Sequence, residues 1–125
     1  YKKEYADGGQ LRDFVYVKDC VEAMTRLINE DHDGKNGIYN LGTGQARSFV
    51  DLVKATFKAL DKKDNIEFIE MPESLRGQYQ YYTQAQMDKL QTALPGFKFH
   101  SLEDGVKDYV QNHLSQTDQR LNSRR

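Results

Sequence analysis

The chain has 125 residues, 18 basic and 19 acidic, with a net charge of −1. That length makes one domain with one modest core. The even, interleaved charge argues against a nucleic-acid protein that works by neutralising phosphate, and no apolar run is long enough to span a membrane.

No secretory signal opens the chain, and its first residue is Tyr1 rather than Met, so it reads as a fragment or a processed product. The single cysteine, Cys20, rules out an internal disulfide and points to a reducing, cytoplasmic setting. A buried, inert thiol is the expectation there. His32, His100 and His113 are scattered without ligand spacing, so no metal site is expected.

In chain order, residues 1–11 are polar, contain Gly8 and Gly9, and read as a loop. Residues 13–17 (DFVYV) alternate and predict a short strand. Asp19, with Glu22 three places on, predicts a capped helix start. Val21, Met24, Leu27 and Ile28 form its apolar stripe. Turn residues 33–37 end it. Residues 38–41 predict a second strand, and Gly42-Thr43-Gly44 a tight loop. Ser48, with Asp51, caps a helix that carries Phe49, Leu52, Val53, Phe57 and Leu60 on one face. Residues 66–71 (IEFIEM) alternate as a third strand, which predicts a parallel, right-handed βαβ unit.

Pro72 breaks that strand, and residues 76–82 follow as loop or extended chain. Thr83, with Gln86, predicts a cap for a short helix bearing Met87 and Leu90. Ser101, with Asp104, caps a last helix bearing Leu102, Val106, Tyr109, Val110 and Leu114. The expected fold is therefore α/β, a small sheet with a βαβ unit and about four helices. Residues 1–114 form the domain, and the polar run 115–125 is an expected disordered tail.

Three motifs bear on chemistry. Gly42-x-Gly44 follows a predicted strand, but a dinucleotide fingerprint needs a third glycine where Arg47 stands, and a phosphate loop needs Gly-Lys. A turn before an ordinary helix is the plainer reading; an anion held by backbone N–H groups is the alternative. Arg12 opens the first strand. Its planar fork suits a diphosphate, although a lone surface arginine is more often solvated or ion-paired. Residues 76–90 hold three tyrosines and four glutamines beside Arg76. In an extended segment Tyr79 and Tyr81 face one way and Tyr82 the other. Core packing is the default for each tyrosine, but Gln78, Gln80 and Gln84 need partners, and the mixture suits a sugar or nucleotide. The histidines assemble no Ser-His-Asp set.

Taken together, RDFVYVKD (12–19), YNLGTG (39–44) and the Ser-capped helix resemble the C-terminal half of the extended short-chain dehydrogenase/reductases, which modify nucleotide-activated sugars. The run RGQYQYYTQ (76–84) is similar to the branch that epimerises ADP-glyceromanno-heptose, a precursor of the lipopolysaccharide inner core. The resemblance implies that Arg12 and Tyr79 contact the nucleotide-sugar, with Arg76 beside them. Residues 4–9 depart from the family pattern and carry nothing over. The family binds NAD or NADP in an N-terminal Rossmann domain and uses a Tyr-x-x-x-Lys pair. No tyrosine here has Lys four positions later. The resemblance therefore implies the substrate-binding portion alone. Cofactor-binding and catalytic residues are missing, and the isolated chain is expected to be inactive. A half-enzyme exposes apolar surface that would meet the Rossmann domain, so weak self-association, a homo-oligomer included, or reduced stability is expected. A relative acting on a UDP-, GDP- or dTDP-sugar, or a stand-alone binding module, are the alternatives.

Overall fold

The computed structural model describes residues 4–29 and 36–116. Two short strands, β1 (Leu11–Arg12) and β2 (Arg47–Ser48), pair antiparallel, with Leu11 opposite Ser48 and Arg12 opposite Arg47. Five helices accompany them: α1 (Val17–Asn29), α2 (Phe49–Ala59), α3 (Glu73–Arg76), α4 (Asp88–Ala93) and α5 (Leu102–Tyr109), the last continued by a π-helical turn over Val110–Leu114. The α/β class stands. The parallel βαβ unit does not. Residues 14–17, 38–41 and 66–71 run without ladder bonds among the described residues. A strand exists only where a neighbour takes its N–H and C=O groups, and alternation alone supplies no neighbour.

The first predicted strand stops for a local reason. Leu11 donates to the Tyr81 carbonyl (2.9 Å) and accepts from Thr83 N–H (3.1 Å), forming a parallel bridge to the 81–83 segment. At Asp13 the side chain takes the next donor, Ala85 N–H (3.0 Å). An aspartate that captures a backbone amide offers the chain an alternative to the ladder.

Helix α1 begins at Val17, so Asp19 lies inside it rather than capping it. Asp19 is fully buried and accepts the His100 amide (2.8 Å) while pairing with His100 Nδ1. Of the expected stripe of α1 only Leu27 packs on the core; Val21, Met24 and Ile28 are exposed, Ile28 at 81%. Ala23 faces the core instead, where Met87, Leu90 and Leu94 meet it and Leu27, Tyr39, Leu41, Phe97 and Phe99 surround them.

The Ser48 cap forms as expected, a full capping box with Asp51. So does Ser101, which accepts the Asp104 amide. Thr83 caps nothing: α4 starts at Asp88, and Thr83 is held in the bridge to Leu11. Helix α2 packs against α5 and its π-helical continuation, with Ala55, Ala59 and Val110 buried, and Gln111 of that continuation donates to the Ala59 carbonyl (2.8 Å). No helix among the described residues is long and apolar enough to cross a membrane. The tail expected over 115–125 falls mostly on 117–125, outside the described residues.

Candidate nucleotide-sugar site

The site is built where β1 meets the 79–85 segment. Arg12 is half-buried, and its guanidinium donates to the Leu11 carbonyl (2.8 Å) and to the Gln80 carbonyl. It also lies 5.3 Å from the centre of the Tyr79 ring and 5.8 Å from that of Phe49, within cation–π range of both. Among the described residues no carboxylate pairs with it. Its strand neighbour Arg47 differs: Glu103 (2.7 Å) and Asp51 (3.2 Å) neutralise it.

Arg12 and Tyr79, 67 positions apart in sequence, thus stand together. Tyr79 is edge-on to Tyr81 at 5.5 Å, and Tyr81 is buried with its hydroxyl toward Met71 Sδ (3.8 Å). Tyr81 is a packing residue, and the exposed Tyr82 hydrogen-bonds Gln84 (2.8 Å). Tyr79 opens onto a cavity of about 760 Å³, lined also by Gly8, Gln10, Phe68, Met71 and Arg76, with Glu67 and Glu70 among its walls. Arg12 does not line that cavity; it reaches it only through its contact with Tyr79. Arg76 is in the wall, with its Nε on the Met71 carbonyl (3.1 Å) and only loose pairing to Glu70 (3.8 Å) and Glu73 (3.9 Å).

Asp13 joins the motifs. Its carboxylate accepts from Thr43 N–H (2.8 Å), the Thr43 hydroxyl, Gly44 N–H (2.9 Å) and Ala85 N–H (3.0 Å). Burial pushes this carboxyl up, but the hydrogen bonds from Thr43, Ala85 and Gly44 outweigh burial and hold it below its ordinary range. Gly42 permits the approach, since a Cβ there would lie 2.7 Å from Asp13 Oδ2 and 2.6 Å from the Ala85 Cβ. Gly44 has φ +74°, the left-handed turn that glycine favours. The loop's amides are therefore spent on a carboxylate of the protein, and Arg47 fills the third-glycine position. These residues do not fit a dinucleotide pyrophosphate.

Sequence reasoning missed Asp13, which stands 30 positions from the Gly-Thr-Gly loop it binds and carries no local signal of that contact. It also missed the contact of Asp19 with His100, and the cluster in which Asp108 accepts from Lys18 (2.6 Å), Tyr16 and Asn112 (2.7 Å). Those bonds, Lys18 foremost, hold the Asp108 carboxyl far below its ordinary range. Cys20 carries a thiol pushed up by burial and by Asp19, which fits an inert side chain. No metal-binding cluster occurs among the described residues.

A family model described as the NAD dependent epimerase/dehydratase family matches residues 2–42. The ADP-L-glycero-D-manno-heptose-6-epimerase of Nitratidesulfovibrio vulgaris (strain DP4) is 54% identical over 115 residues, 92% of this chain and 35% of the relative. The protein of that name from Fusobacterium nucleatum is 53% identical over 128 residues, 97% of this chain and 38% of the relative. Over most of its length the chain is similar to these epimerases. It spans about a third of the length of the curated relatives it matches. A solved structure, UDP-glucuronic acid 4-epimerase from Bacillus cereus in complex with UDP-glucuronic acid and NAD, superposes with a TM-score of 0.65 at 25% identity, over 86% of this chain and 34% of that one.

Proposed function

We propose that this chain is the nucleotide-sugar-binding portion of an NAD(P)-dependent epimerase acting on ADP-glyceromanno-heptose. The observation that carries the reading is Arg12, a half-buried guanidinium without a carboxylate partner among the described residues, held against Tyr79, which lines a cavity. A cation in that state has unused capacity for a diphosphate, which its fork grips through two parallel hydrogen bonds. Tyr79 offers a stacking face and a hydroxyl, and Arg76 lines the same cavity. The choice of ADP-heptose follows the names of relatives 53–54% identical to this chain.

The protein's part in the reaction is then orientation. Binding energy drawn from the nucleotide and diphosphate fixes the sugar for chemistry elsewhere. NAD or NADP would be held outside these residues, since the Gly42-Thr43-Gly44 loop does not fit it. The exposed apolar positions of α1, with Ile38 at 90% and Ile69 at 84% exposure, support a further protein surface packed on this one.

The test is calorimetric titration of the complete enzyme with ADP and with ADP-, UDP-, GDP- and dTDP-sugars. Arg12→Ala should weaken ADP binding by about 10- to 100-fold, the scale of a charge-assisted hydrogen-bond pair. Tyr79→Ala should cost about 2- to 10-fold and Tyr79→Phe little, because the ring face survives. Undiminished ADP affinity in Arg12→Ala, or preference for a uracil nucleotide, would overturn the proposal.

A further inference from the structure

Asp13 makes no contact with the cavity, yet the parts that hold Arg12 hang from it. One part is the 79–85 segment. It supplies the Gln80 carbonyl and the Tyr79 ring to Arg12, and the Asp13 carboxylate anchors its far end at Ala85 N–H. The other is the loop from Gly42 to Ser48. It leads into Phe49, the second ring over Arg12, and Asp13 anchors its start through Thr43 and Gly44. Both chain segments, 30 and 72 positions away, meet at one carboxylate whose two oxygens are fully engaged. Neither oxygen is left over for a ligand.

We infer that Asp13 is the positioning residue of the nucleotide-sugar site, setting the Arg12 guanidinium against Tyr79 and Phe49 by clamping the Gly42-Thr43-Gly44 loop to the 79–85 segment. The inference rests on the reading of Arg12 given above. An uncharged amide of the same shape cannot replace the clamp. Asparagine presents one acceptor oxygen and an NH₂ that would face a donor N–H. The misplaced group costs binding only through Arg12, so the two residues act as one unit.

The experiment is a double-mutant cycle on the complete enzyme, read by titration with ADP and by thermal melting. Asp13→Asn should weaken ADP binding about tenfold, and the double variant with Arg12→Ala should bind ADP no more weakly than Arg12→Ala alone. Thr43→Val removes the hydroxyl donor, keeps the amide and preserves side-chain volume. It should cost about two- to fivefold in ADP affinity, and it carries the test where Asp13→Asn fails to fold. Wild-type ADP affinity in Asp13→Asn or Thr43→Val, or losses that multiply in the double variant, would overturn the inference while leaving the site reading intact. An Arg12→Ala variant that binds ADP normally would overturn both.

Discussion

Replacing Gly42 by alanine tests the clamp at its tightest point. The added methyl would sit 2.6 Å from the Ala85 Cβ, 2.7 Å from Asp13 Oδ2 and 3.1 Å from Asp13 Cγ. Gly42 is not among the positive-φ glycines, so the penalty is steric alone. Neither neighbour yields easily: one methyl is fixed directly to the backbone, and the carboxylate is held by four donors. Overpacking of this kind costs about 1–3 kcal/mol. Restricting the unfolded chain offsets about 0.4–1 kcal/mol of that. The net loss should be about 1–2 kcal/mol, a fall in Tm of about 2–8 °C for a protein of 150–250 residues and less for a longer one. Gly77→Ala is the internal reference. Gly77 has φ −81°, and its Cβ would meet nothing within 4 Å, so alanine there should be neutral or stabilising by up to about 1 kcal/mol. Urea denaturation of both variants of the complete enzyme measures the difference, expected near 2 kcal/mol by the same arithmetic. Equal midpoints for the two variants would refute the claim that Gly42 is required by close approach.

Two further outcomes follow from the same structure. Ser48→Ala removes one half of the capping box on α2 and should destabilise by about 1 kcal/mol; an unchanged denaturation midpoint would count against that cap. Stability should also fall below about pH 5. Asp13 and Asp51 are held low by hydrogen bonds that outweigh burial, and Glu103 by Arg47, so the unfolded chain takes up protons first as pH drops. Melting at pH 7, 5 and 4 should show the decline, and a Tm that is flat across that range contradicts it.

The parts of the fold legible in the sequence were those decided within a few residues. Ser48 with Asp51 and Ser101 with Asp104 are three apart, and both caps formed. The strands were not legible, because pairing depends on partners that no local window contains. Residues 66–71 alternate as cleanly as any strand, yet they have no ladder partner among the described residues. Asp19 looked like a cap because its buried acceptor role is completed by His100, 81 positions away. The same distance effect hid the outward turn of Val21, Met24 and Ile28 on α1. At the site, family resemblance points to Arg12 and Tyr79, and their proximity rests on rungs through Leu11 that no periodicity contains. Asp13 was read as the first residue of a strand because alternation assigns a face and ignores what an acid can accept.

The grip on Arg12 has an entropic consequence. Two carbonyls and two aromatic rings already fix its guanidinium before any ligand arrives. Little torsional freedom remains to be lost on association, so most of the attraction to a phosphate would survive as affinity. A lysine would keep the charge at this place and forfeit the preorganisation, because its ammonium has neither the planar stacking surface nor the fork that these four neighbours hold.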